Sequence, residues 1–335
     1  MKNLKSLAIG CAALAGAVSA TAANAEVSCG TAGPLSIAEM SWSSAGMLAH
    51  VTEAILTDGY GCDASLQPGD TVPVASSMLT RSKPDIAPEL WVSTAQSVWD
   101  QMIEKGNVYK ASNTYVDGGL EGWWIPDYIA EANPGLKSVS DLKDHWQAFA
   151  DESNPEKGRF YACPPGWGCE IIGENLYKAL GLEDSFEVFA TGSGENLKAS
   201  IARAHAAKKP FLGWYWGPTE VIGKYKLVRL EMPEYDAEKF LCLTQSDCAE
   251  PEVTGWAPGE VAVAVVSSLK DDAPDVAAFL GKMSVPNDDM NQILAYGDDN
   301  SLSPDELATW FFRTYPQIWK EWVPAEVAEK VEAAL

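Results

Sequence analysis

Short apolar runs alternate with amphipathic stretches along most of the chain, and this alternation predicts the order of strands and helices. Runs of apolar and β-branched residues that end at a turn signal predict strands, whereas apolar positions with helical spacing predict helices. Strands are predicted over residues 35–40, 85–92, 159–163, 186–189, 210–216, 226–230 and 260–266. Helices are predicted over residues 45–56, 95–104, 140–150, 169–180 and 195–207, and the C-terminal part is mostly helical.

Two helix starts carry a capping pattern. Ser138 precedes Asp141, and Ser303 precedes Glu306 with Pro304 between them at the first helical position. In this pattern the Ser side chain accepts a hydrogen bond from the backbone, and the acidic side chain reaches back to the N–H group of the Ser. We therefore expect a helix to begin at each of these points.

The repeated strand–helix alternation predicts the α/β class, with parallel-rich sheets that helices cover on both faces. The chain has 335 residues, which exceeds the usual size of one domain, so two lobes are expected. No Pro-rich or low-complexity linker occurs, and crossing strands are therefore expected to join the lobes. Ligands of such sheets bind in the crevice beyond the carboxyl ends of the strands.

The first residues have the pattern of a signal peptide. Lys2 and Lys5 form a basic region, residues 7–18 are apolar, and residues 23–25 (Ala-Asn-Ala) form a small-x-small cleavage site. This pattern predicts that residues 1–25 are removed on export and that the mature protein is periplasmic.

The overall composition excludes several classes of protein. The chain has 24 basic and 47 acidic residues and a net charge of -23, whereas a nucleic-acid-binding protein needs a basic surface. No apolar run outside residues 1–25 is long enough to span a membrane. The 13 Trp residues are far more than a soluble chain ordinarily contains.

Six cysteines follow the predicted signal peptide, and an even number in an exported protein indicates three disulfide bonds. Two pairs are close in sequence, Cys163–Cys169 and Cys242–Cys248, and elimination leaves Cys29–Cys62. A zinc site would need Cys-x-x-Cys spacing, which is absent, and thiolates would be oxidised in this compartment. No metal or cofactor is therefore expected.

Residues 163–170 (Cys-Pro-Pro-Gly-Trp-Gly-Cys-Glu) combine features of a binding loop. A disulfide bond and two prolines would make the loop rigid, with Trp167 at its tip. The next helix begins near Gly168, so the N–H groups of Gly168 and Cys169 would attract a negatively charged group. The alternative is a stapled turn in which Trp167 only packs.

Further Trp residues lie at strand ends. Trp91 ends the strand 85–92, and Trp214 and Trp216 lie on one face of the strand 210–216 because strand side chains alternate. A single Trp usually belongs to the core. Three at strand ends, each beside a turn, favour a ligand-binding role.

Residues 163–170 resemble the ligand loop of periplasmic proteins that bind glycine betaine and related compounds for ABC importers. Weaker similarity extends to Leu90-Trp91, to residues 118–123 (Gly-Gly-Leu-Glu-Gly-Trp) and to residues 216–218 (Trp-Gly-Pro). In that family a cage of Trp rings holds a trimethylammonium head by cation–π contacts. The cage implied by the resemblance consists of Trp91, Trp167 and Trp216.

The resemblance also implies a two-lobed periplasmic-binding-protein fold of type II, a venus flytrap that closes on its ligand. Lobe 1 would comprise residues 26–115 and 228–335, and lobe 2 residues 116–227, with two crossover strands at the hinge. The implied partners are a small trimethylammonium ligand and a membrane permease, and the protein would act as a monomer.

Two departures from the betaine-binding pattern bear on the ligand. Ala95 stands where betaine binders of this type carry a His that helps to hold the carboxylate, and Glu121 stands where they carry a neutral Gln. Both changes disfavour a ligand with a full carboxylate. They favour trimethylamine N-oxide, as in the binders of marine bacteria, because the N–H groups of Gly168 and Cys169 suit its single oxygen. The alternative for Glu121 is an exposed hinge residue.

Choline and glycine betaine remain alternative ligands. Choline binders share the sequence Ser-Trp-Ser at residues 41–43, which makes Trp42 a candidate fourth ring, but they carry an acid where Ser44 stands here. The candidate ligand-binding residues are Trp42, Trp91, Glu121, Trp167, Gly168, Cys169, Trp214 and Trp216.

Other functional classes fit the sequence less well. An enzyme would need a nucleophile and a base, but the chain has three His residues, and the Gly-Ser-Gly at residues 192–194 lacks the Gly-x-Ser-x-Gly of a nucleophile elbow. A sugar-binding receptor also uses Trp stacking, but it would need many Asp, Asn and Arg side chains around the rings.

Overall fold

The computed structural model describes residues 28–151 and 154–335. They form two α/β lobes, each built on a mixed sheet that helices flank. The predicted signal peptide lies outside the described residues. Within them, no helix has the length and apolar character needed to cross a bilayer.

The strands follow the predicted order, with additional members between them. In chain order they are β1 (Leu35–Met40), β2 (Ala64–Gly69), β3 (Ile86–Trp91), β4 (Val108–Asn113), β5 (Leu120–Pro126), β6 (Ala150–Asp151), β7 (Asn154–Tyr161), β8 (Phe186–Phe189), β9 (Gly213–Gly217), β10 (Leu227–Arg229) and β11 (Val261–Val266).

The helices connect these strands and form most of the C-terminal part. In chain order they are α1 (Ser43–Ala54), α2 (Thr71–Arg81), α3 (Gln96–Lys105), α4 (Asp127–Ala132), α5 (Gly168–Ala179), α6 (Gly194–Ala207), α7 (Glu220–Lys224), α8 (Ala237–Leu243), α9 (Leu269–Asp272), α10 (Pro274–Leu280), α11 (Asn287–Asn300), α12 (Pro304–Thr314), α13 (Pro316–Trp319) and α14 (Ala325–Ala334). A π-helical turn, Ile55–Gly59, extends α1.

The strand order differs between the two sheets. The first sheet has the order β2-β1-β3-β11-β4, and the second has the order β10-β5-β9-β7-β6 with β8 paired to β7. In the first sheet β1 runs parallel to β2 and β3, whereas β11 runs antiparallel to β3 and β4. In the second, β9 is antiparallel to β5 and parallel to β7. Both sheets are therefore mixed.

Two crossing segments join the lobes. Residues 114–119 lead from β4 to β5, and residues 255–260 lead back into β11. The two segments meet in an antiparallel bridge between Gly119 and Gly259, where a Cβ atom on Gly259 would overlap the backbone of Gly119. The sequence predicted that crossing strands join the lobes, because it contains no flexible linker, and these two paired segments are that connection.

The return to the first lobe at residue 228 was placed too early. Val228 and Arg229 pair with β5 in the second sheet. Beyond them, α8 packs on α5, and the Asn175 amide donates a hydrogen bond to the Leu243 carbonyl oxygen at 3.0 Å. Residues 230–254 therefore stay with the second lobe. The sequence did not show this, because this irregular stretch has no periodic pattern that indicates which sheet it covers.

The helix predicted over residues 140–150 is also wrong. Ser138 and Asp141 form the predicted capping box, but the turns that follow are 3₁₀ rather than α-helical, at Val139–Asp144 and Trp146–Phe149. His145 between them has φ -118° and ψ 17°, which interrupts the helical backbone. The capping box at Ser303 does begin a helix, α12.

The three predicted disulfide bonds are present. They join Cys29 to Cys62, Cys163 to Cys169 and Cys242 to Cys248. The second closes the loop that precedes α5, and the third joins Cys242 in α8 to Cys248 in the loop that follows.

Candidate ligand-binding site

Five Trp rings line a pocket between the lobes. All eight candidate residues from the sequence meet in its lining, together with Thr71 and Thr94, which the sequence did not single out. The lining consists of Trp42, Thr71, Trp91, Thr94, Glu121, Trp167, Gly168, Cys169, Trp214 and Trp216.

The first lobe contributes Trp42 and Trp91. Trp42 lies between β1 and α1 and Trp91 ends β3, and these strands are neighbours in the sheet. Both indole N–H groups donate to the same atom, Glu89 Oε1, at 2.7 and 2.9 Å. The Ser44 hydroxyl donates to this oxygen at 3.2 Å. Glu89 therefore ties the two rings together.

Glu89 is 1% exposed, within a strand in which every residue is buried. Burial raises the pKa of its carboxyl, and the hydrogen bonds from the indoles oppose this rise. Sequence analysis missed Glu89. The signal for it was an acidic residue inside an otherwise apolar strand, two positions before a candidate cage Trp.

The second lobe contributes Trp214, Trp216 and Glu121. The two Trp rings stack on one face of β9 with their centroids 5.2 Å apart and their planes 19° apart, as strand alternation predicted. Glu121 on β5 is the direct cross-strand partner of Trp216. Opposed residues in a sheet lie on the same face, so the carboxyl reaches the pocket beside the rings.

The disulfide-closed loop reaches the first lobe through Trp167. Its ring meets Trp42 and Trp216 edge to face, with centroids 5.1 Å away in each case. Its indole nitrogen lies 3.2 Å from both Ser41 Oγ and Asp70 Oδ1 of the first lobe. The ring thus contacts both walls of the pocket, and the lobes are closed around it.

The start of α5 supplies backbone donors to the pocket. Gly168 and Cys169 are the first two residues of this helix, and the first N–H groups of a helix have no acceptor within it. A Cβ atom on Gly168 would overlap the carbonyl oxygen and side chain of Thr94 in the first lobe. The residue must therefore be glycine for the lobes to approach this closely.

Glu121 is 4% exposed, which excludes an exposed hinge residue. The Ser93 hydroxyl donates to its Oε2 atom at 3.2 Å. Its Oε1 atom and the Trp214 indole nitrogen are buried without a hydrogen-bond partner among the described residues. Burial raises the pKa of Glu121 to about 8, against the opposing effects of Ser93 and Trp214. The carboxyl is therefore mostly protonated near neutral pH.

The lining contains one acid and no Lys, Arg or His. Arg229 donates a hydrogen bond to the backbone oxygen of Glu121, at 3.3 Å. Ala95 lies in the turn Ser93–Ala95 after Trp91 and is not part of the lining. Across the ranges that the structure describes, no cluster of His, Cys, Asp and Glu side chains is suited to a metal ion.

Ion pairs between the lobes lie near the pocket. Lys198 on α6 contacts Asp298 on α11 at 2.6 Å and Glu220 on α7 at 3.0 Å. Lys224 contacts the other oxygen of Asp298 at 2.6 Å. Lysines of the second lobe thus meet a carboxylate of the first, and these pairs favour the closed arrangement.

Comparison with known proteins identifies a matching family and two curated relatives. The sequence profile of the family described as OpuAC, substrate binding domain of ABC-type glycine betaine transport system, matches residues 33–314. The glycine betaine/proline betaine-binding periplasmic protein of Salmonella typhimurium is 28% identical over 113 residues, or 33% of this chain and 34% of the relative. OusX of Dickeya dadantii, a glycine betaine-binding periplasmic protein, is 28% identical over 123 residues, or 36% of this chain and 37% of the relative. These matches span only about a third of the curated relatives.

Solved structures of similar fold cover nearly the whole chain. A choline-binding ABC-transporter protein in complex with choline has a TM-score of 0.70 at 19% identity and covers 90% of this chain and 97% of its own. ProX from Borrelia burgdorferi has a TM-score of 0.69 at 17% identity, and the match covers 89% of this chain and 99% of ProX. They establish the two-lobed periplasmic-binding-protein fold. By the extent of the profile match, the chain belongs to the family of substrate-binding domains of ABC-type glycine betaine transport systems.

Proposed function

We propose that this protein is the periplasmic substrate-binding component of an ABC importer and that its ligand is trimethylamine N-oxide. The observation that carries the choice of ligand is the lining of the pocket: five indole rings and one buried carboxyl, without a basic side chain. The rings suit three methyl groups on a positive nitrogen. The carboxylate of glycine betaine would meet no basic partner and would lie near Glu121.

The single oxygen of trimethylamine N-oxide matches the polar groups of the lining. The N–H groups of Gly168 and Cys169 start a helix, where a negative group is favoured. The Glu121 carboxyl, protonated near neutral pH, is a further donor for this oxygen.

The expected affinity follows from the size of the ligand. A desolvated cation–π contact contributes about 2 kcal/mol, but the best small ligands reach only about -1.5 kcal/mol for each heavy atom. For the five heavy atoms of trimethylamine N-oxide the limit is about -7.5 kcal/mol, which corresponds to a dissociation constant in the low micromolar range.

Choline is the second candidate, because an ionised Glu121 is a suitable counter-ion for a ligand with a full positive charge. The predicted signal peptide, the three disulfide bonds and the family support export to the periplasm and delivery of the ligand to a membrane permease. We propose that the protein acts there as a monomer.

Calorimetric titration of the ligand-stripped protein tests this proposal. Trimethylamine N-oxide, choline and glycine betaine are compared at one pH and ionic strength, with protonated trimethylamine as the control that lacks the oxygen. We expect trimethylamine N-oxide to bind most tightly and glycine betaine most weakly. Tightest binding of glycine betaine would refute the choice of ligand, and binding of none of them would refute the function.

A further inference from the structure

Behind the first-lobe wall of the cage lies a buried acid that is not part of the pocket lining. Glu89 points from β3 in the same direction as Trp91, because residues two apart in a strand share a face. Trp42 reaches the same point from the neighbouring strand β1. The Glu89 carboxyl therefore lies where the two rings converge, outside the pocket lining.

The hydrogen bonds of Glu89 are concentrated on one oxygen. Its Oε1 atom accepts from the Trp42 indole, the Trp91 indole and the Ser44 hydroxyl, at 2.7, 2.9 and 3.2 Å. Its other oxygen, Oε2, is buried without a hydrogen-bond partner among the described residues, so Oε1 alone holds the two rings. Without it, two indole N–H groups would be buried without partners.

We propose that Glu89 is a positioning residue, whose Oε1 atom fixes the faces of Trp42 and Trp91 toward the pocket that receives a trimethylammonium head. The orientation follows directly from the shared oxygen: neither ring can rotate without losing its bond to Glu89. This inference rests on the proposed function.

Two substitutions separate the shape of the side chain from its acceptor oxygen. Glu89→Gln keeps the shape and one acceptor oxygen, whereas Glu89→Leu removes the acceptor. Glu104→Gln, at an exposed position of α3, is the matched control. We expect the affinity for trimethylamine N-oxide to fall about fivefold to tenfold in Glu89→Leu, and less in Glu89→Gln, which keeps an acceptor oxygen. The control is expected to bind like the parent.

A spectroscopic measurement on the ligand-free protein reports the positioning itself. The 13 Trp residues give separate indole N–H signals in a ¹H–¹⁵N spectrum, and Trp→Phe substitutions assign those of Trp42 and Trp91. We expect these two signals to move upfield in Glu89→Leu, and less in Glu89→Gln, with the other indole signals nearly unchanged. A general loss of packing would instead move many signals together.

A further variant tests the shared oxygen without changing Glu89. Trp42→Phe removes one donor, so the remaining Trp91 bond should strengthen and its indole signal should move downfield. Unchanged Trp42 and Trp91 signals in Glu89→Gln and Glu89→Leu, or parent-like affinity in Glu89→Leu, would overturn the proposal. If the parent binds no trimethylammonium ligand, the proposed function fails, and the spectra still decide whether Glu89 positions the rings.

Discussion

The raised pKa of Glu121 makes a prediction about stability that a single substitution tests. In the folded protein this carboxyl titrates near pH 8, whereas a Glu in the unfolded chain titrates near pH 4.5. Between these values the unfolded state loses its proton and the folded state keeps it. Unfolding is therefore increasingly favoured as the pH rises, and the loss of stability levels off above pH 8.

The pKa difference sets the size of the effect. A rise from 4.5 to about 8 corresponds, at about 1.4 kcal/mol for each unit, to at most about 5 kcal/mol. Glu121→Gln cannot ionise and keeps the shape of the side chain. Relative to the parent, its free energy of unfolding should therefore rise by about 3–5 kcal/mol between pH 5 and pH 9. Every other titrating group is common to both proteins and cancels in the difference.

Urea unfolding followed by circular dichroism at several pH values measures this difference. Glu131→Gln, at an exposed position of α4, is the control and should show a pH-independent difference from the parent. If the curves of Glu121→Gln and the parent run parallel from pH 5 to pH 9, the carboxyl has an ordinary pKa. The argument that Glu121 is neutral in the empty pocket would then be wrong.

The same residue separates the candidate ligands by their proton exchange. A fully cationic ligand stabilises the ionised form of Glu121, so choline should release a proton on binding near pH 7. The oxygen of trimethylamine N-oxide accepts a hydrogen bond from the neutral carboxyl, so its binding should release none. Titration calorimetry in two buffers with different ionisation enthalpies counts these protons. Glu121→Gln should abolish the release and should weaken trimethylamine N-oxide and choline more than glycine betaine.

Three further predictions address the cage, the loop and the closure of the lobes. Trp167→Ala should weaken binding by about 1–2 kcal/mol and Trp167→Phe by less, because Phe keeps a ring face. Equal losses of binding free energy in the two variants, measured by calorimetry, would contradict a cation–π role. Ser substitutions that remove the Cys163–Cys169 bond should lower the affinity about tenfold, with a smaller effect on stability. Removal of the Cys242–Cys248 bond is the control and should leave the affinity unchanged. Free thiols at Cys163 and Cys169 in the mature protein would refute this account of the loop. Asp298→Asn should weaken binding by ~1 kcal/mol, and less at high salt; a salt-independent effect would argue against closure by ion pairs.

The elements predicted from the sequence are those with a strong local pattern. Strands β1 and β8 have the predicted bounds because each is a short run that ends at a clear turn. Strands β2 and β5 were missed, because β2 ends in Gln-Pro-Gly and β5 contains a glycine between its acid and its two Trp residues. Their pairing in the sheets, rather than their local sequence, makes them strands.

More of the candidate site than of the surrounding fold could be predicted from the sequence, because the Trp rings lie at strand ends beside turns. What a single sequence does not show is which polar groups lie behind the rings. Glu89 looked like part of a buried strand, and Asp70 has no motif that would connect it with Trp167, although their side chains meet across the lobes. Such contacts depend on how the lobes close, and closure joins residues far apart in sequence.

Neither lobe contains the whole cage. Trp42 and Trp91 come from the first lobe, and Trp167, Trp214 and Trp216 come from the second. If the lobes separated, these large apolar rings would face water, so closure itself buries apolar surface and brings the ring faces around the ligand. The measured affinity therefore includes the free energy of closure as well as that of the cage contacts. Substitutions at interlobe contacts outside the pocket should change affinity without changing which trimethylammonium ligand the pocket prefers, whereas substitutions at Glu121 should change the preference.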